Sequence, residues 1–152
     1  MKEHYSLMIE NSESYKVHIV ILTWNNNKIL KRCLESIENV DHKNFTISVI
    51  DNNSSDDSLK MISENFPNVQ TIKNSKNFKF GRGYNEGLKK INVEDNDFII
   101  LLNDDTIVSR NFIDELINPL AKDQKAIIST PKILYSSNIN KIWYAGGVVD
   151  LW

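Results

Sequence analysis

The tightest constraint in this chain is the run Phe98-Ile99-Ile100-Leu101-Leu102, which leads straight into Asn103-Asp104-Asp105. A short continuous apolar run bounded by polar residues predicts a fully buried strand. It is too short to cross a membrane, which takes roughly 20 residues. Its polar end then marks where a buried strand emerges at a sheet edge. Two adjacent carboxylates there repel each other and lose hydration. A divalent cation would relieve both, and hard cations such as Mg²⁺ or Mn²⁺ take oxygen ligands. The simpler alternative is a loop start in which Asp104 or Asp105 caps the next helix.

The chain before this run alternates two patterns. Val17 to Thr23 is β-branched and reads as a first strand. Trp24-Asn25-Asn26-Asn27 is turn chemistry, and a helix is expected from about Lys28 to Asn39, with Ile29, Leu30, Cys33, Leu34 and Ile37 on one face. Phe45 to Ile50 is a second strand ending at Asp51, and a second helix runs to about Phe66, stopped by Pro67. Val69 to Ile72 is a short third strand. A polar loop leads into Gly81-Arg82-Gly83-Tyr84-Asn85-Glu86-Gly87 and a third helix to about Ile91. After the fourth strand, Ser109 is expected to cap a fourth helix that Pro119 ends early or kinks. Ala126 to Thr130 reads as a fifth strand, and Ile142 to Val149 as a strand, a Gly-Gly bend and another strand start.

Strands alternating with helices predict an α/β fold with a doubly wound, mainly parallel sheet and helices on both faces. Ligands of such sheets bind beyond the carboxyl ends of the strands. Those ends carry Thr23 and Asn25, then Asp51, then Asn103, Asp104 and Asp105. Asp51 could accept hydrogen bonds from a ribose or a base, or close an Asx turn with Asn53. The glycines from Gly81 to Gly87 let backbone or ligand come close. Arg82 at that helix start suits a phosphate, or is simply solvated. The spacing G-x-G-x-x-x-G lacks the strand–turn–helix context of a dinucleotide fingerprint, and no Gly-Lys-Ser/Thr phosphate loop is present. His4, His18 and His42 are scattered, with no zinc-like cluster and no triad spacing.

At 152 residues, with 41% hydrophobic and 25% charged residues, this is one ordinary globular domain. A net charge of −2 gives no reason to expect nucleic acid or an anionic membrane as partner. The single cysteine, Cys33, suits a reducing compartment and reads as a buried, inert thiol. Residues 1–16 are mostly polar and read as a loosely held N-terminal tail.

Four segments in order resemble the N-terminal, nucleotide-binding half of a family 2 glycosyltransferase of the GT-A fold, and more narrowly its rhamnosyltransferase-like branch. Val17 to Asn25 resembles the opening strand that ends near the base. Asp51-Asn52-Asn53-Ser54-Ser55-Asp56-Asp57-Ser58 resembles the D-N-x-S-x-D motif, whose leading Asp contacts the base. Asn77 to Gly87 resembles the N-x-G-F-x-x-G-x-N-x-G segment near the donor, with Lys79 in place of a glycine. Asn103-Asp104-Asp105 stands where the family has D-x-D, with Asn103 in place of the first Asp.

The resemblance implies inverting transfer of a sugar from a UDP or dTDP donor to a hydroxyl acceptor, glycan, lipid-linked or other, in cell-surface polysaccharide synthesis. It implies Asp105 as the metal ligand. Thr23, Asn25, Asp51, Asn53, Arg82, Asn85, Asn103 and Asp104 would lie around the nucleotide. A cytoplasmic protein, peripheral to the membrane, is expected. The catalytic base is expected beyond Trp152, since Asp150 matches no motif, so residues 17–152 read as a donor-binding portion without the acceptor half. Val148, Val149, Leu151 and Trp152 then form an apolar seam that favours self-association. Two other classes compete. One is a non-catalytic nucleotide-binding or scaffold module on the same fold. The other is a phospho-acceptor signalling domain, which needs an acidic pair after the first strand, where Thr23-Trp24-Asn25 has none.

Overall fold

The computed structural model describes residues 15–147 apart from residue 124. They divide into two compact units, the first extending through Arg110. Most of the expected tail, together with Asp150 and the seam of Val148, Val149, Leu151 and Trp152, lies outside the described residues.

The first unit runs β1 (Val17–Thr23), α1 (Asn27–Ile37), β2 (Phe45–Asp51), α2 (Ser58–Asn65), β3 (Gln70–Lys73), α3 (Phe80–Leu88) and β4 (Phe98–Asn103). Its four strands form one sheet in the order β3-β2-β1-β4, and every neighbouring pair is parallel. The register sets Thr23 beside Asp51 and Leu22 beside Asn103. Valine and isoleucine fill β1 and bury its backbone: Val17, Ile19, Val20 and Ile21 are fully enclosed. Helix α1 buries Leu30, Cys33, Leu34 and Ile37, while Ile29 stays exposed at its first turn.

Helix α3 lies over the face that carries Val20, Leu22, Ile50 and Ile72, with Tyr84 in that core and Leu88 packed against it. Its glycines serve this contact. A Cβ on Gly87 would stand 2.2 Å from Ile50 Cδ1, and one on Gly83 would stand 2.9 Å from Asn52 Nδ2, whereas Gly81 faces open space. The Gly-rich segment is therefore a close helix–sheet seam at Gly83 and Gly87.

Within this unit, at the end of the sheet opposite the strands' carboxyl ends, Asp97 receives the backbone N–H of Lys16 at 3.0 Å and of Glu94 at 3.0 Å. Its other partner is His18 Nε2 at 2.9 Å, and His18 Nδ1 meets Thr46 Oγ1 at 3.1 Å. Burial pushes the Asp97 carboxyl up, but the bonds from His18, Glu94 and Lys16 outweigh it and hold it below the usual range.

Strand β4 is not fully buried. It lies last in the strand order, and Ile99 and Leu101 on one face are 45% and 55% exposed. Its uninterrupted apolar run reads as buried on both faces, but the face that carries Ile99 and Leu101 is only partly covered.

The second unit contains α4 (Phe112–Lys122) and an antiparallel hairpin of β5 (Ile133–Tyr135) and β6 (Asn138–Tyr144). Helix α4 follows Asn111, so Ser109 does not cap it. Pro119 neither ends nor visibly shortens it, because it falls in the last turns, where the missing N–H removes a single bond. Residues 126–130 are not a strand. Ile127 and Ile128 are 86% and 82% exposed, and among the described residues no neighbouring strand satisfies that backbone. No described helix is long and apolar enough to cross a membrane.

Replacing Gly87 by Ala should cost about 2–3 kcal/mol, because Ile50 has to move aside in a packed core. Gly81→Ala should be neutral or slightly stabilising; chemical denaturation of both variants checks this. Asp97 contributes stability that is present above the unfolded carboxylate range, about pH 4, and is lost as pH falls through its lowered folded value. The melting temperature of Asp97→Asn should therefore lie below that of the parent at pH 7, and the gap should close in acid.

Candidate functional site

The carboxyl ends of the four strands meet on one edge of the first unit. Thr23 ends β1 almost fully buried, and its Oγ1 donates to Asp104 Oδ2 at 2.7 Å. Asp104 is half-buried, whereas Asn103 and Asp105 are exposed. The adjacent carboxylates are thus divided: one is tied to β1 and the other faces solvent. After Asn103 the chain turns, with Thr106 N donating to Asn103 O at 3.3 Å, and returns to α1, where Val108 N donates to Ser36 Oγ at 3.2 Å. Cys33 Sγ lies 3.7 Å from Asn103 O. Burial, then the charge of Asp104, pushes this thiol up to about 12. It is the inert cysteine that its place in the helix predicts.

The turns after β1 and β2 hold each other. Asn25 adopts φ +52°, and its Oδ1 accepts from Ser55 N at 2.7 Å and Asp56 N at 3.3 Å. Its own N–H donates to Ser54 Oγ at 2.9 Å. Asp51 is fully buried, and both its carboxylate oxygens accept from Ser54 N, at 3.1 and 3.2 Å. The turn it closes reaches Ser54, one residue further than the turn through Asn53. Asn53, at φ +66°, stays exposed.

Asn52 organises the rest of the edge; it is the fixed Asn of the D-N-x-S-x-D resemblance, which gave it no role. Its Nδ2 donates to Asn77 Oδ1 at 3.1 Å and Lys79 O at 3.0 Å. Its Oδ1 accepts from Asn74 Nδ2 at 3.0 Å and Phe78 N at 3.2 Å. Asn74 also donates to Gly83 O at 3.2 Å. One amide thereby binds the end of β2 to the loop that opens α3. The available signal was the asparagine itself, a residue with two donors and two lone pairs beside a buried strand end.

That loop carries an unusual backbone. Lys79 has φ +64° and ψ −167°, a region almost confined to glycine. Three bonds pin it: its N–H to Asn77 Oδ1 at 2.8 Å, and its carbonyl to Asn52 Nδ2 and to Gly83 N at 3.1 Å. Lysine thus holds the conformation expected of the glycine it replaces.

Arg82 is exposed, with its guanidinium 4.7 Å from the centre of the Phe78 ring and Nε 3.9 Å from Glu86. Exposed pairs of this kind bind weakly, which leaves the cation free to engage an anion. Asn85 is exposed on α3. A cleft of about 320 Å³ opens beside β3 and α3, lined by Asn53, Lys73, Asn74, Ser75, Phe78 and Glu86 among others. Of the predicted site residues, only Asn53 lines it. Thr23, Asp104 and Asp105 sit together elsewhere on the edge, on β1 and after β4.

Residues 18–148 match the family model for glycosyl transferase family 2. A relative from Methanococcus voltae, a dolichyl N-acetyl-alpha-D-glucosaminyl phosphate 3-beta-D-2,3-diacetamido-2,3-dideoxy-beta-D-glucuronosyltransferase, is 27% identical over 159 residues; the match covers 85% of this chain and 48% of the relative. Among solved structures, S. aureus TarS 1-349 in complex with UDP-GlcNAc has a TM-score of 0.62 at 20% identity, covering 72% of this chain and 32% of that one. The mannosyltransferase PcManGT from Pyrobaculum calidifontis, in complex with GDP-Man and Mn²⁺, has a TM-score of 0.63 at 14% identity, covering 79% and 40%. Both show the GT-A fold in this chain. It spans about half the length of the curated relative it matches.

Lys79→Gly should raise stability by about 1 kcal/mol, the relief of backbone strain less the extra freedom of glycine in the unfolded chain. Asn52→Ala should cost about 2–3 kcal/mol, because it leaves Asn74, Asn77 and Phe78 N without a partner. Denaturation curves test both. Limited proteolysis should also find new cleavage between residues 74 and 80 in the Asn52 variant.

Proposed function

The chain belongs to glycosyl transferase family 2, and from that membership we propose that its strand-end edge holds the nucleoside diphosphate of a UDP- or dTDP-sugar donor. The observation that carries the reading is the bond from Thr23 to Asp104, which keeps one carboxylate in place and leaves Asp105 open to solvent. Two fold neighbours, one in complex with UDP-GlcNAc and the other with GDP-Man and Mn²⁺, support a nucleotide-sugar ligand.

The donor chemistry of the edge fits a hard divalent cation, Mg²⁺ or Mn²⁺. Asp105 and Asn103 offer exposed oxygens, and Asp104 has a second carboxylate oxygen beyond its bond to Thr23. No group of three or more acidic, His or Cys residues among the described residues forms a complete cage. Such a site binds its metal together with substrate phosphates, as is usual for Mg²⁺. When bound, the cation neutralises the diphosphate charge that develops as the leaving group departs.

The chain's own residues then divide the work. Asp105 holds the cation, and Asp104 is kept in register by Thr23. Arg82 places a positive charge at the opening of α3, where helix amides also favour phosphate. Asn103 and Asn85 offer amides to ribose and diphosphate. Asn25 and Asp51 are committed to the turns that shape the base side of the edge, and exposed Asn53 stands beside them. The sugar passes with inversion to a hydroxyl of a glycan or lipid-linked acceptor, and a base must take the proton of that hydroxyl. We assign that base to no described residue.

Calorimetric titration of the purified chain with UDP and dTDP, with and without Mn²⁺, tests the reading. Saturable binding that tightens with Mn²⁺ is expected, together with only weak binding of Mn²⁺ alone. Asp105→Ala should weaken the metal-dependent binding at least about tenfold, or about 1.4 kcal/mol. No nucleotide binding by a folded chain, or binding indifferent to Mn²⁺ and to Asp105, would overturn it.

A further inference from the structure

Tyr84 is 3% exposed, its ring packs with Val20, Ile50 and Ile72, and Phe80 meets it edge-on at 5.2 Å. A phenol buried among aliphatic side chains needs partners for its hydroxyl. It finds them between two strands. The hydroxyl donates to Leu102 O at 2.9 Å and accepts from Leu22 N at 3.3 Å. Leu22 belongs to β1 and Leu102 to β4, so the oxygen bridges the two strands beside their last register pair, Leu22 and Asn103, the rung at which the ladder ends. One residue further on each strand are Thr23 and Asn103. The next contact along is the Thr23 bond to Asp104.

This rung lies where the strand order reverses, since β2 and β4 flank β1 on opposite sides. At such a point the connections leave in opposite directions, and the crevice between them has no covering element of its own. A parallel ladder frays at its end unless something holds it. Here a helix reaches through the sheet face and supplies that hold. Burial, countered by Leu22 N and reinforced by the charge of Asp104, pushes the phenol up to about 12. The group therefore stays a neutral donor throughout the physiological range.

We propose that Tyr84 is the positioning residue of the donor edge. Its hydroxyl fixes the end of β1 against the end of β4, and so sets Thr23 and the Asn103–Asp105 segment in the arrangement that metal-assisted diphosphate binding requires. It touches neither metal nor nucleotide. The inference rests on the donor-site reading above. It adds that α3, which also bears Arg82 and Asn85, is coupled to the carboxylates through one phenol.

Tyr84→Phe keeps the ring and removes only the oxygen. Two measurements on the full chain test it. Amide hydrogen exchange at Leu22, Thr23 and Asn103 to Asp105 should speed up roughly tenfold in the variant, because the rung loses one donor and one acceptor. Titration with UDP should show the Mn²⁺-dependent gain in affinity reduced roughly tenfold, while binding without metal is unchanged. A purely structural role would lower the melting temperature and leave the ratio of affinities with and without Mn²⁺ unmoved. Unchanged exchange overturns the proposal, and so does loosened exchange with an unchanged metal gain. If the parent chain itself binds no nucleotide, the donor reading fails and this inference falls with it. A parent that binds beside a Tyr84→Phe variant that binds equally well sinks the inference alone.

Discussion

The amide of Asn52 is the bond-making group on which the shape of the edge depends. It is 2% exposed, so each polar atom it carries must be paired inside the protein or cost the desolvation of a polar group. All its partners are on the loop between β3 and α3: Asn74, Asn77, Phe78 and Lys79. That requirement holds Lys79 in a backbone conformation lysine otherwise avoids, and it brings the start of α3 down onto the end of β2. Gly83 must be small because Asn52 Nδ2 occupies the space where its Cβ would go. The buried polar group and the missing side chain are two aspects of one contact.

The second organising fact is electrostatic. Two neighbouring carboxylates at a strand end repel, and the protein separates them by giving only one a hydrogen-bond donor. Thr23 can reach Asp104 because β1 and β4 are neighbours in register. Asp105 is left to solvent. A charge-assisted bond of this type is worth roughly 1.5–3 kcal/mol, enough to decide which carboxylate is structural. The same pairing of strands brings Tyr84 from above and Cys33 from α1 to the Leu102–Asn103 carbonyls. The acidic segment is therefore gripped from both faces of the sheet while its tip remains open.

Much of the fold was legible. Alternating β-branched runs and amphipathic stretches located β1, β2, β3, α1, α2 and α3 within a few residues, because those segments bury one continuous core and their periodicity records it. The errors share a cause. Ile99-Ile100-Leu101 reads as a strand buried on both faces, yet the face with Ile99 and Leu101 is only partly covered. Ala126 to Thr130 has strand composition and, among the described residues, no strand to pair with. The expected strand from Ile142 falls within β6, which starts at Asn138 and pairs with β5 across Ser136 and Ser137, while the strand start expected at Val148 and Val149 lies outside the described residues. In each case neighbours in space decided the outcome, and a local pattern carries no information about them.

The sequence alone determined that strands alternate with helices, that their polar ends share an edge, and that Asn103-Asp104-Asp105 follows an apolar strand. These follow from periodicity, chirality of connection and the solvation of charge, all of which act over a few residues. Only the tertiary structure decided which polar group does what. It enclosed Asp51 in a turn with Ser54, committed Asn25 to Ser55 and Asp56, and tied Asp104 to Thr23. Of the two readings open for the Gly81–Gly87 glycines, close backbone or close ligand, it put backbone packing at Gly83 and Gly87. The reason is physical: a hydrogen bond's partner is set by which atoms come within about 3 Å, and for these groups the partners lie up to 81 residues away along the chain.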